Sequence, residues 1–190
     1  MVFRRVIVQE LMSVDGFVAD PAGGLAFFDV VSDYSEVDRD NLMILDEVDT
    51  ILLGRATYQM FVDYWPSAEG EQVAHAVNTT PKIVFSSTLD SAPWGHWEPV
   101  RVINGGAVEH MHQLQRQPGK QIMLWGSISL AQSLLRGGLV DEIQLRVLPV
   151  ALGAGRRLLT EEVGRQDLAL LHAKSYASGI VSLHYAVNHG

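Results

Sequence analysis

Three short segments of the chain carry glycine or hydroxyl side chains directly after an apolar run, and the first of them also carries an arginine. Such a run predicts a buried β-strand, and glycine allows a tight turn into a following helix. The first backbone N–H groups of a helix lack intrahelical partners and lie at its positive end, so they bind anions such as phosphate. The candidate phosphate-binding segments are Gly54-Arg55-Ala56-Thr57, Ser86-Ser87-Thr88 and Gly126-Ser127-Ile128-Ser129.

Arg55 is predicted to lie in the first turn of a helix, where its positive charge opposes the helix dipole. This placement typically costs ~0.3–1 kcal/mol of helix stability. The cost falls if Arg55 shares an anion with the N–H groups and with the Thr57 hydroxyl. Alternatively, Arg55 points into solvent or pairs with an acidic neighbour, and the sequence leaves both interpretations open.

The other two segments also have interpretations without a ligand. Ser127 is a natural N-cap residue, so the third segment could be an ordinary strand–helix–strand unit. The hydroxyls of Ser86, Ser87 and Thr88 could cap a turn. The observation that favours a shared function is that a similar arrangement follows three different predicted strands.

Asp15-Gly16 is a strong turn signal that follows the first predicted strand. In one interpretation it is a simple reversal between strands. In the other it is a loop at a strand end that closes over a ligand, with Asp15 supplying a carboxylate.

The predicted elements form strand–helix–strand units followed by a C-terminal hairpin. This order predicts an α/β fold of three layers, α/β/α, with a mostly parallel sheet and an antiparallel C-terminal hairpin. Because the carboxyl ends of parallel strands share one edge of a sheet, the three segments should converge on one crevice. The main predictions are a helix that begins at Ser35, carries Val48 on its apolar face and ends by Asp49, a strand at Ile122 to Trp125, a helix from Ile128, a two-faced strand at Glu142 to Val147, and a hairpin of Leu168 to Ala173 and Ile180 to Val187.

The composition bounds the class of protein. At 190 residues, with 47% apolar and 19% charged residues, the chain is expected to be one globular domain spanning residues 1–190. It has no cysteine and a net charge of −8, which argues against disulfides, thiolate metal sites and non-specific nucleic-acid binding. No apolar run reaches the length of a membrane span. We expect a cytoplasmic enzyme without a metal.

The chain resembles the dihydrofolate reductase superfamily, and in particular the reductase domain of bacterial riboflavin biosynthesis. The most specific part is LVDEIQLRVLPVALGAG, from Leu139 to Gly155. SVDG at Ser13 to Gly16 is similar to the strand-end loop of the riboflavin-type reductases. LLGRATY at Leu52 to Tyr58 is similar to the NADPH-binding turn of dihydrofolate reductases.

The resemblance implies an NADPH-dependent reductase that transfers a hydride to an electron-poor C=N or C=O carbon. It also implies a homodimer. Asp15 is the candidate catalytic group, as a polar side chain near the reacting centre. The residues that the resemblance assigns to the cofactor are Gly54, Arg55 and Thr57 for the phosphates, Arg55 with Ser86 and Ser87 for the 2′-phosphate that distinguishes NADP from NAD, Gly126, Ser127, Ile128 and Ser129 for the pyrophosphate, and Gly16 beside the nicotinamide.

The substrate and the proton donor stay open. Gln9 stands where riboflavin-type reductases usually carry a lysine, four residues before the serine of the SxDG loop. The substrate could be pterin- or folate-like, a flavin precursor or another small carbonyl compound. Alternatively, the protein binds or senses NADP(H) without catalysis. The carboxylates in range of a proton-donating role, among which the sequence does not choose, are Asp29, Asp33, Glu36 and Asp38.

Overall fold

The computed structural model describes residues 3–189, which contain an eight-stranded sheet flanked by helices. Within these residues no helix is long and apolar enough to cross a membrane. The helices are α1 (Ser35–Leu45), α2 (Arg55–Tyr64), α3 (Ala74–Thr79), α4 (Ala107–Gln115) and α5 (Ile128–Arg136), with short 3-10 helices at Ala26–Val30 and Trp65–Ser67. The strands are β1 (Val6–Ser13), β2 (Val48–Gly54), β3 (Lys82–Phe85), β4 (Arg101–Ile103), β5 (Gln121–Trp125), β6 (Glu142–Leu148), β7 (Leu168–Ser175) and β8 (Val181–Val187).

The strand order in the sheet is β4-β3-β2-β5-β1-β6-β8-β7. The first six strands in this order are parallel, whereas β8 runs antiparallel to β6 and β7 antiparallel to β8. The predicted fold, a mostly parallel sheet with an antiparallel C-terminal hairpin, is confirmed. Parallel pairing also fixes the position of the loops, because all six parallel strands end at the same edge.

Two apolar clusters hold helices against the two faces of the sheet. β1 illustrates how one strand serves both, since successive side chains point to opposite faces. Val8 belongs to the cluster that contains Leu134 of α5, and Ile7 belongs to the cluster that contains Tyr58 of α2 and Val77 of α3. The central strands are therefore buried on both sides, as their continuous apolar runs indicate.

Two local predictions are wrong. Helix α1 ends at Leu45, so Val48, which was predicted to lie on the apolar face of this helix, instead begins β2. The reason is tertiary: the carbonyl of Glu47 accepts a 2.9 Å hydrogen bond from the backbone N–H of Gln121, which draws this segment into the sheet. Ser127 occupies the N-cap position of α5, but its side chain does not cap the helix.

β6 has the two unlike faces expected from its sequence, but its polar face is buried. Glu142, Gln144 and Arg146 are only 7%, 3% and 1% exposed. This face of the sheet lies on the same side as α1, next to Gln9 of β1 and His184 of β8. The contacts of this buried polar face are described below.

Candidate functional site

The three glycine- and hydroxyl-rich segments lie side by side at the carboxyl edge of the sheet. They follow β2, β3 and β5, which are adjacent and parallel in the order β3-β2-β5. Gly54 is in register with Phe85, directly before the Ser86 segment, and Leu52 is in register with Leu124. The convergence expected from the sequence is therefore present, whereas binding of a cofactor by these residues stays a prediction.

The turns after β2 and β5 are bonded directly to one another. The Gly54 backbone N–H donates to Oγ of Ser127 at 2.7 Å. The Ser127 backbone N–H donates to Oγ1 of Thr57 at 2.9 Å. Oγ of Ser127 also donates to the carbonyl of Trp125 at 3.2 Å. We call the three residues Gly54, Thr57 and Ser127 the turn clamp.

The clamp places two uncapped helix N-termini next to each other. Neither N-cap residue, Gly54 for α2 or Ser127 for α5, gives a side-chain hydrogen bond to its helix. Arg55, the first residue of α2, is exposed and makes no ion pair with the residues described, 3–189. Two positive helix ends and an unpaired arginine give this edge the local chemistry that an anion requires, on an acidic protein.

In the segment after β3, Ser86 supports its own turn, whereas Ser87 is exposed to solvent. Ser86 is only 8% exposed, and its Oγ accepts hydrogen bonds from the backbone N–H groups of Thr88 (3.2 Å) and Leu89 (3.1 Å). Its hydroxyl oxygen is thus used by its own turn, as the interpretation without a ligand expects. Ser87 is exposed and lies next to the end of β2 through the pairing of Phe85 with Gly54.

Asp15 fastens the loop after β1 to the loop after β6. Its carboxylate accepts hydrogen bonds from Oγ of Ser13 (2.6 Å) and from the backbone N–H groups of Leu152 (3.1 Å) and Gly153 (2.6 Å). These hydrogen bonds, with that of Ser13 the largest contribution, lower the pKa of Asp15 to about 2. Asp15 is therefore ionised near neutral pH and cannot donate a proton there, and its placement near a reacting centre stays a prediction.

Gly16 has φ +87°, a conformation that glycine adopts readily. Arg157 covers this turn: it donates to the Asp15 carbonyl at 3.0 Å, and its guanidinium stacks 4.1 Å above the ring of Phe17. A Cβ atom on Gly16 would lie 2.8 Å from the Arg157 guanidinium. The loop is thus held by residues of the segment that follows β6.

Among the four carboxylates that the sequence leaves open, Asp38 is the one whose pKa is raised. Burial, followed by the charges of Glu71 and Asp33, raises the pKa of Asp38 to about 6. By contrast, a hydrogen bond from the Ser35 backbone lowers the pKa of Asp33. The sequence could not separate these carboxylates because Glu71 is distant in the chain.

The charge of Asp38 acts on Tyr64, which is the first of four aromatic residues that pack in a row. The pKa of Tyr64 is raised to about 12 mainly by its hydrogen bond to Glu71, and the charge of Asp38 adds to this effect. The ring of Tyr64 packs edge-on against Trp65, which packs against Phe61 at 6.1 Å, and Phe61 packs against Trp125 at 6.3 Å. This row of rings runs from Tyr64 to the residue that precedes Gly126.

Gln9, in the place of the expected lysine, positions Trp125. Its Oε1 accepts from the indole Nε1 of Trp125 at 2.6 Å, and its Nε2 donates to Gln144 at 2.8 Å and to Asn41 at 3.3 Å. Gln9 is 4% exposed, so these bonds are buried. Sequence reasoning missed this function, for which the only indication was a polar residue after the apolar run Val6 to Val8.

A concave region lies away from the carboxyl edge, near the amino ends of β1 and β5. It is a cavity of about 340 Å³ between α1 and the β6–β8–β7 part of the sheet, lined partly by Glu142, Gln144, Ser182 and His184. The buried network that borders it, which we call the polar ring, consists of Gln9, Asn41, Glu142, Gln144, Arg146 and His184.

The polar ring is almost completely hydrogen-bonded. Arg146 bonds to Ser182, to His184 (2.8 Å) and to Asn41 (3.1 Å), although its Nε has no partner. Glu142 accepts from Gln144 at 2.7 Å, and outside the ring it accepts from Arg5 at 2.8 Å.

Burial, followed by the charges of Arg146 and His172, lowers the pKa of His184 to about 4. The neutral imidazole can then accept the hydrogen bond from Arg146. Within residues 3–189 no group of three or more acidic or histidine side chains suits a metal ion.

Comparison with known proteins agrees with this geometry. The sequence matches the RibD C-terminal domain family over residues 4–182. It is 30% identical over 189 residues to the uncharacterised protein YyaP of Bacillus subtilis (strain 168), covering 97% of this chain and 96% of that protein.

Solved structures share the fold. A Shewanella sp. PV-4 structure named as a riboflavin biosynthesis protein superposes with a TM-score of 0.78 at 23% identity, covering 97% of this chain and 99% of that one. Dihydrofolate reductase from Enterococcus faecalis, solved with NADP(H), superposes with a TM-score of 0.62 at 13% identity over 100% of both chains. The chain belongs to the RibD C-terminal domain family and has the dihydrofolate-reductase-like fold.

Proposed function

We propose that this protein is an NADPH-dependent reductase that transfers a hydride to a small heterocyclic or carbonyl substrate. The observation that carries the proposal is the pair of uncapped helix N-termini, α2 and α5, bonded side by side at the carboxyl edge next to the unpaired Arg55. A diphosphate needs hydrogen-bond donors on two neighbouring phosphates, and two adjacent helix ends provide them. Membership of the RibD C-terminal domain family supports the same activity.

The residues at the edge fit NADPH. The backbone N–H groups in the first turns of α2 and α5, including those of Arg55, Ile128 and Ser129, would hold the diphosphate. Arg55 and the exposed Ser87 would bind the 2′-phosphate, because a guanidinium makes strong charge-assisted hydrogen bonds to phosphate. Gly16 would border the nicotinamide. When bound, NADPH supplies a hydride from its nicotinamide ring.

Asp38 is the residue we assign to proton transfer. Hydride addition to a C=N or C=O carbon leaves negative charge on the nitrogen or oxygen, which must accept a proton. A carboxyl group with a pKa of about 6 can supply it near neutral pH, whereas Asp15, with a pKa of about 2, cannot. Asp15 would instead hold the loop that carries Gly16 through its bonds to Leu152 and Gly153.

A non-catalytic NADP(H)-binding function is the second candidate. It is favoured by Gln9, which stands in the place of the lysine of riboflavin-type reductases and has both ends of its amide engaged by Trp125, Asn41 and Gln144. A residue bonded in this way positions other side chains and is not free to act on a substrate.

Two measurements test these candidates. Thermal unfolding with NADPH and with NADH tests the cofactor site, because a ligand that binds only the folded state stabilises it by ~2.7 kcal/mol at a hundredfold excess over Kd. We expect a clear rise in Tm with NADPH and a smaller one with NADH; no rise with either would overturn both functions. NADPH oxidation against pterins, ribosylaminouracil phosphates and small carbonyls then separates the two, since a sensor oxidises NADPH with none of them.

The Asp38→Asn variant tests the proton donor. We expect kcat to fall by roughly 10²-fold, a usual contribution of general acid catalysis, with little change in NADPH affinity. The wild-type kcat should decline as pH rises through about 6, and this dependence should be absent in the variant. Asp29→Asn is the control, because Asp29 is another of the four candidate carboxylates, is exposed, and does not contribute to the raised pKa of Asp38. Equal activity of the wild type and Asp38→Asn across this pH range would exclude Asp38.

The homodimer expected from the resemblance also stays a proposal. The edge strand β7 exposes Leu170 (58%) and Leu171 (53%), and an exposed apolar edge strand favours pairing with another chain. Light scattering of the purified protein measures the mass directly. A mass of one chain at micromolar concentration would contradict the dimer.

A further inference from the structure

Glu10 on β1 is a buried carboxyl group that is not fully paired. The residue is 6% exposed, and its Oε1 is buried without a hydrogen-bond partner in the described part of the chain, residues 3–189. A buried acceptor without a partner costs free energy, so such atoms are usually satisfied by protein, water or a ligand. Burial raises the pKa of Glu10 to about 8, so the carboxyl group is protonated near neutral pH. It then offers one O–H donor and one carbonyl acceptor.

The sheet opens beside Glu10. β5 pairs with β1 only as far as Gln9, which lies opposite Trp125, whereas β6 pairs with β1 as far as Ser13. The chain leaves the sheet at Gly126, which has φ 55°, and enters α5. The last four residues of β1 therefore have no strand on the β5 side, and Glu10 is the first of them. This gap lies at the carboxyl edge, between the end of β1 and the start of α5.

The side chain of Glu10 lies on the face of the sheet that carries α5. Side chains alternate along β1, so Glu10 shares this face with Val8 and Met12, which pack in the same apolar cluster as α5. Met12 reaches the turn after β1, since its Cε lies 3.7 Å from the position that a Cβ atom on Gly16 would occupy. Glu10 is therefore on the face of β1 that leads to the loop proposed to border the nicotinamide.

The surroundings of Glu10 contain few charged groups. β5 has no titratable side chain, and the one charged residue of α5, Arg136, lies in its last turn. On β6, the side chains of Glu142 and Arg146 point to the opposite face of the sheet. Arg157 covers the loop after β1, but burial is the one cause of the raised pKa of Glu10, with no contribution from a charge. A ligand group that pairs with this carboxyl group should therefore be polar and uncharged.

We propose that Glu10 is a specificity-determining residue whose side chain hydrogen-bonds the carboxamide of the nicotinamide, an inference that rests on the proposed function. A protonated carboxyl group and a primary carboxamide are complementary, because each has a donor and an acceptor side by side. The acid O–H would donate to the amide oxygen, and an amide N–H would donate to Oε1. This pair would satisfy Glu10 without burying a charge.

Two substitutions of Glu10 separate hydrogen bonding from packing. Leucine forms no side-chain hydrogen bond, so Glu10→Leu should raise the Kd for NADPH about tenfold. Glutamine keeps a donor and an acceptor, so Glu10→Gln should bind NADPH within about threefold of the wild type at neutral pH. Neither should change the Kd for 2′-phospho-ADP-ribose, which is NADPH without its nicotinamide, by more than about twofold. Glu162→Gln, at an exposed carboxyl group, is the control and should leave both affinities unchanged.

The pH and the carboxamide itself provide two further readouts. NADPH binding by the wild type should weaken as the pH rises above about 8, because ionised Glu10 has lost its donor, and Glu10→Gln should not show this loss. An NADPH analogue with an acetyl group in place of the carboxamide should bind the wild type more weakly than NADPH does. That difference should disappear in Glu10→Leu. Titration calorimetry of the full-length proteins measures each Kd, and thermal unfolding confirms that each variant is folded.

Other outcomes separate the possible failures. Unchanged NADPH binding in Glu10→Leu, with tight binding by the wild type, overturns the role of Glu10 and leaves the proposed function standing. Equal losses of NADPH and 2′-phospho-ADP-ribose indicate general damage to the edge and also overturn that role. If Glu10→Leu does not fold, Glu10→Gln decides, because a pH dependence equal to that of the wild type excludes Glu10. A wild type that binds neither ligand overturns the proposed function as well.

Discussion

The carboxyl edge and the polar ring are both polar regions of this protein, and they differ in how their groups are paired. The ring has the larger number of titratable side chains and borders a cavity of about 340 Å³. Its polar side chains are hydrogen-bonded to one another, with Nε of Arg146 as the exception. At the carboxyl edge, helix N-termini are uncapped and Arg55 is unpaired among residues 3–189.

This difference indicates which region binds a ligand. Buried polar groups are satisfied internally where they support the fold, because an unpaired one costs free energy. Donors left open at a surface can instead be satisfied by a ligand. We therefore infer that the polar ring stabilises the α1 side of the sheet and that the carboxyl edge is the functional region, although the cavity of about 340 Å³ lies beside the ring.

Arg146→Met gives the largest expected effect, because it breaks the pairing of the ring. Asn41, Ser182 and His184 would lose a buried partner, which should lower the free energy of unfolding by about 2–4 kcal/mol. Urea unfolding measures the loss, and NADPH titration of the folded variant should give a Kd close to that of the wild type. The exposed Arg136→Met on α5 should change stability by less than about 0.5 kcal/mol. A large loss of NADPH affinity in Arg146→Met would show that the two regions are not independent.

Glu10 is a buried carboxyl group outside the ring, and it shows what happens to a buried polar group that is not fully paired. It is 6% exposed, its Oε1 has no partner, and burial raises its pKa to about 8. The pKa of Glu10 is higher in the folded protein than its unfolded value near 4.5. The protonated side chain therefore contributes fully to stability below pH 4.5, and this contribution is lost as the pH rises towards 8.

The measurement for Glu10 is urea unfolding of the wild type and Glu10→Gln between pH 5 and 8.5. The stability of the variant relative to the wild type should increase over this range, by about 1–3 kcal/mol in total. Taking the difference between the proteins removes the titrations of His184 and Asp38, which are common to both. A difference independent of pH would show that Glu10 is ionised in the folded protein.

Arg55→Ala tests the open edge itself. Loss of one charge-assisted contact to the 2′-phosphate should weaken NADPH binding about tenfold and leave NADH binding within about twofold. Fluorescence titration with both cofactors measures the selectivity, and Arg136→Ala is the control for loss of a surface charge. Equal weakening of NADPH and NADH would contradict the assignment of Arg55 to the 2′-phosphate.

The adjacent serines after β3 give the smallest effects and a direct contrast. Ser86→Ala removes the cap of a turn, so it should lower stability by about 1 kcal/mol with little change in cofactor affinity. Ser87→Ala removes an exposed hydroxyl, so it should leave stability unchanged and weaken NADPH binding by about two- to threefold. Chemical unfolding and cofactor titration of both variants would show whether Ser86 stabilises the fold and Ser87 binds the cofactor.

Much of the fold was predictable because its signals are local. Apolar runs of four or five residues marked the buried strands, and glycine pairs such as Gly137-Gly138 marked the end of α5. The end of α1 was not predictable, because the bond of Glu47 to Gln121 joins residues that are distant in the chain. The buried face of β6 was missed for the same reason, since the partners of Arg146 come from α1 and β8.

The position of the candidate site was predictable from the sequence, but the role of each residue within it was not. Gly54, Ser86 and Gly126 were expected at one edge, and parallel pairing puts them there. The roles within the site depend on contacts between turns that are 70 or more residues apart, as for Thr57 and Gly54 with Ser127.

The sequence by itself determined the order of strands and helices and the chemistry of the turns between them, because periodicity, glycine and hydroxyl side chains act on neighbouring residues. Only the tertiary structure decided which donors are occupied and which are free. It bonded the N–H groups of Gly54 and Ser127 within the protein and gave Asp38 and Glu10 raised pKa values. Hydrogen-bond pairing and desolvation depend on groups brought together in space, and these groups are far apart along the chain.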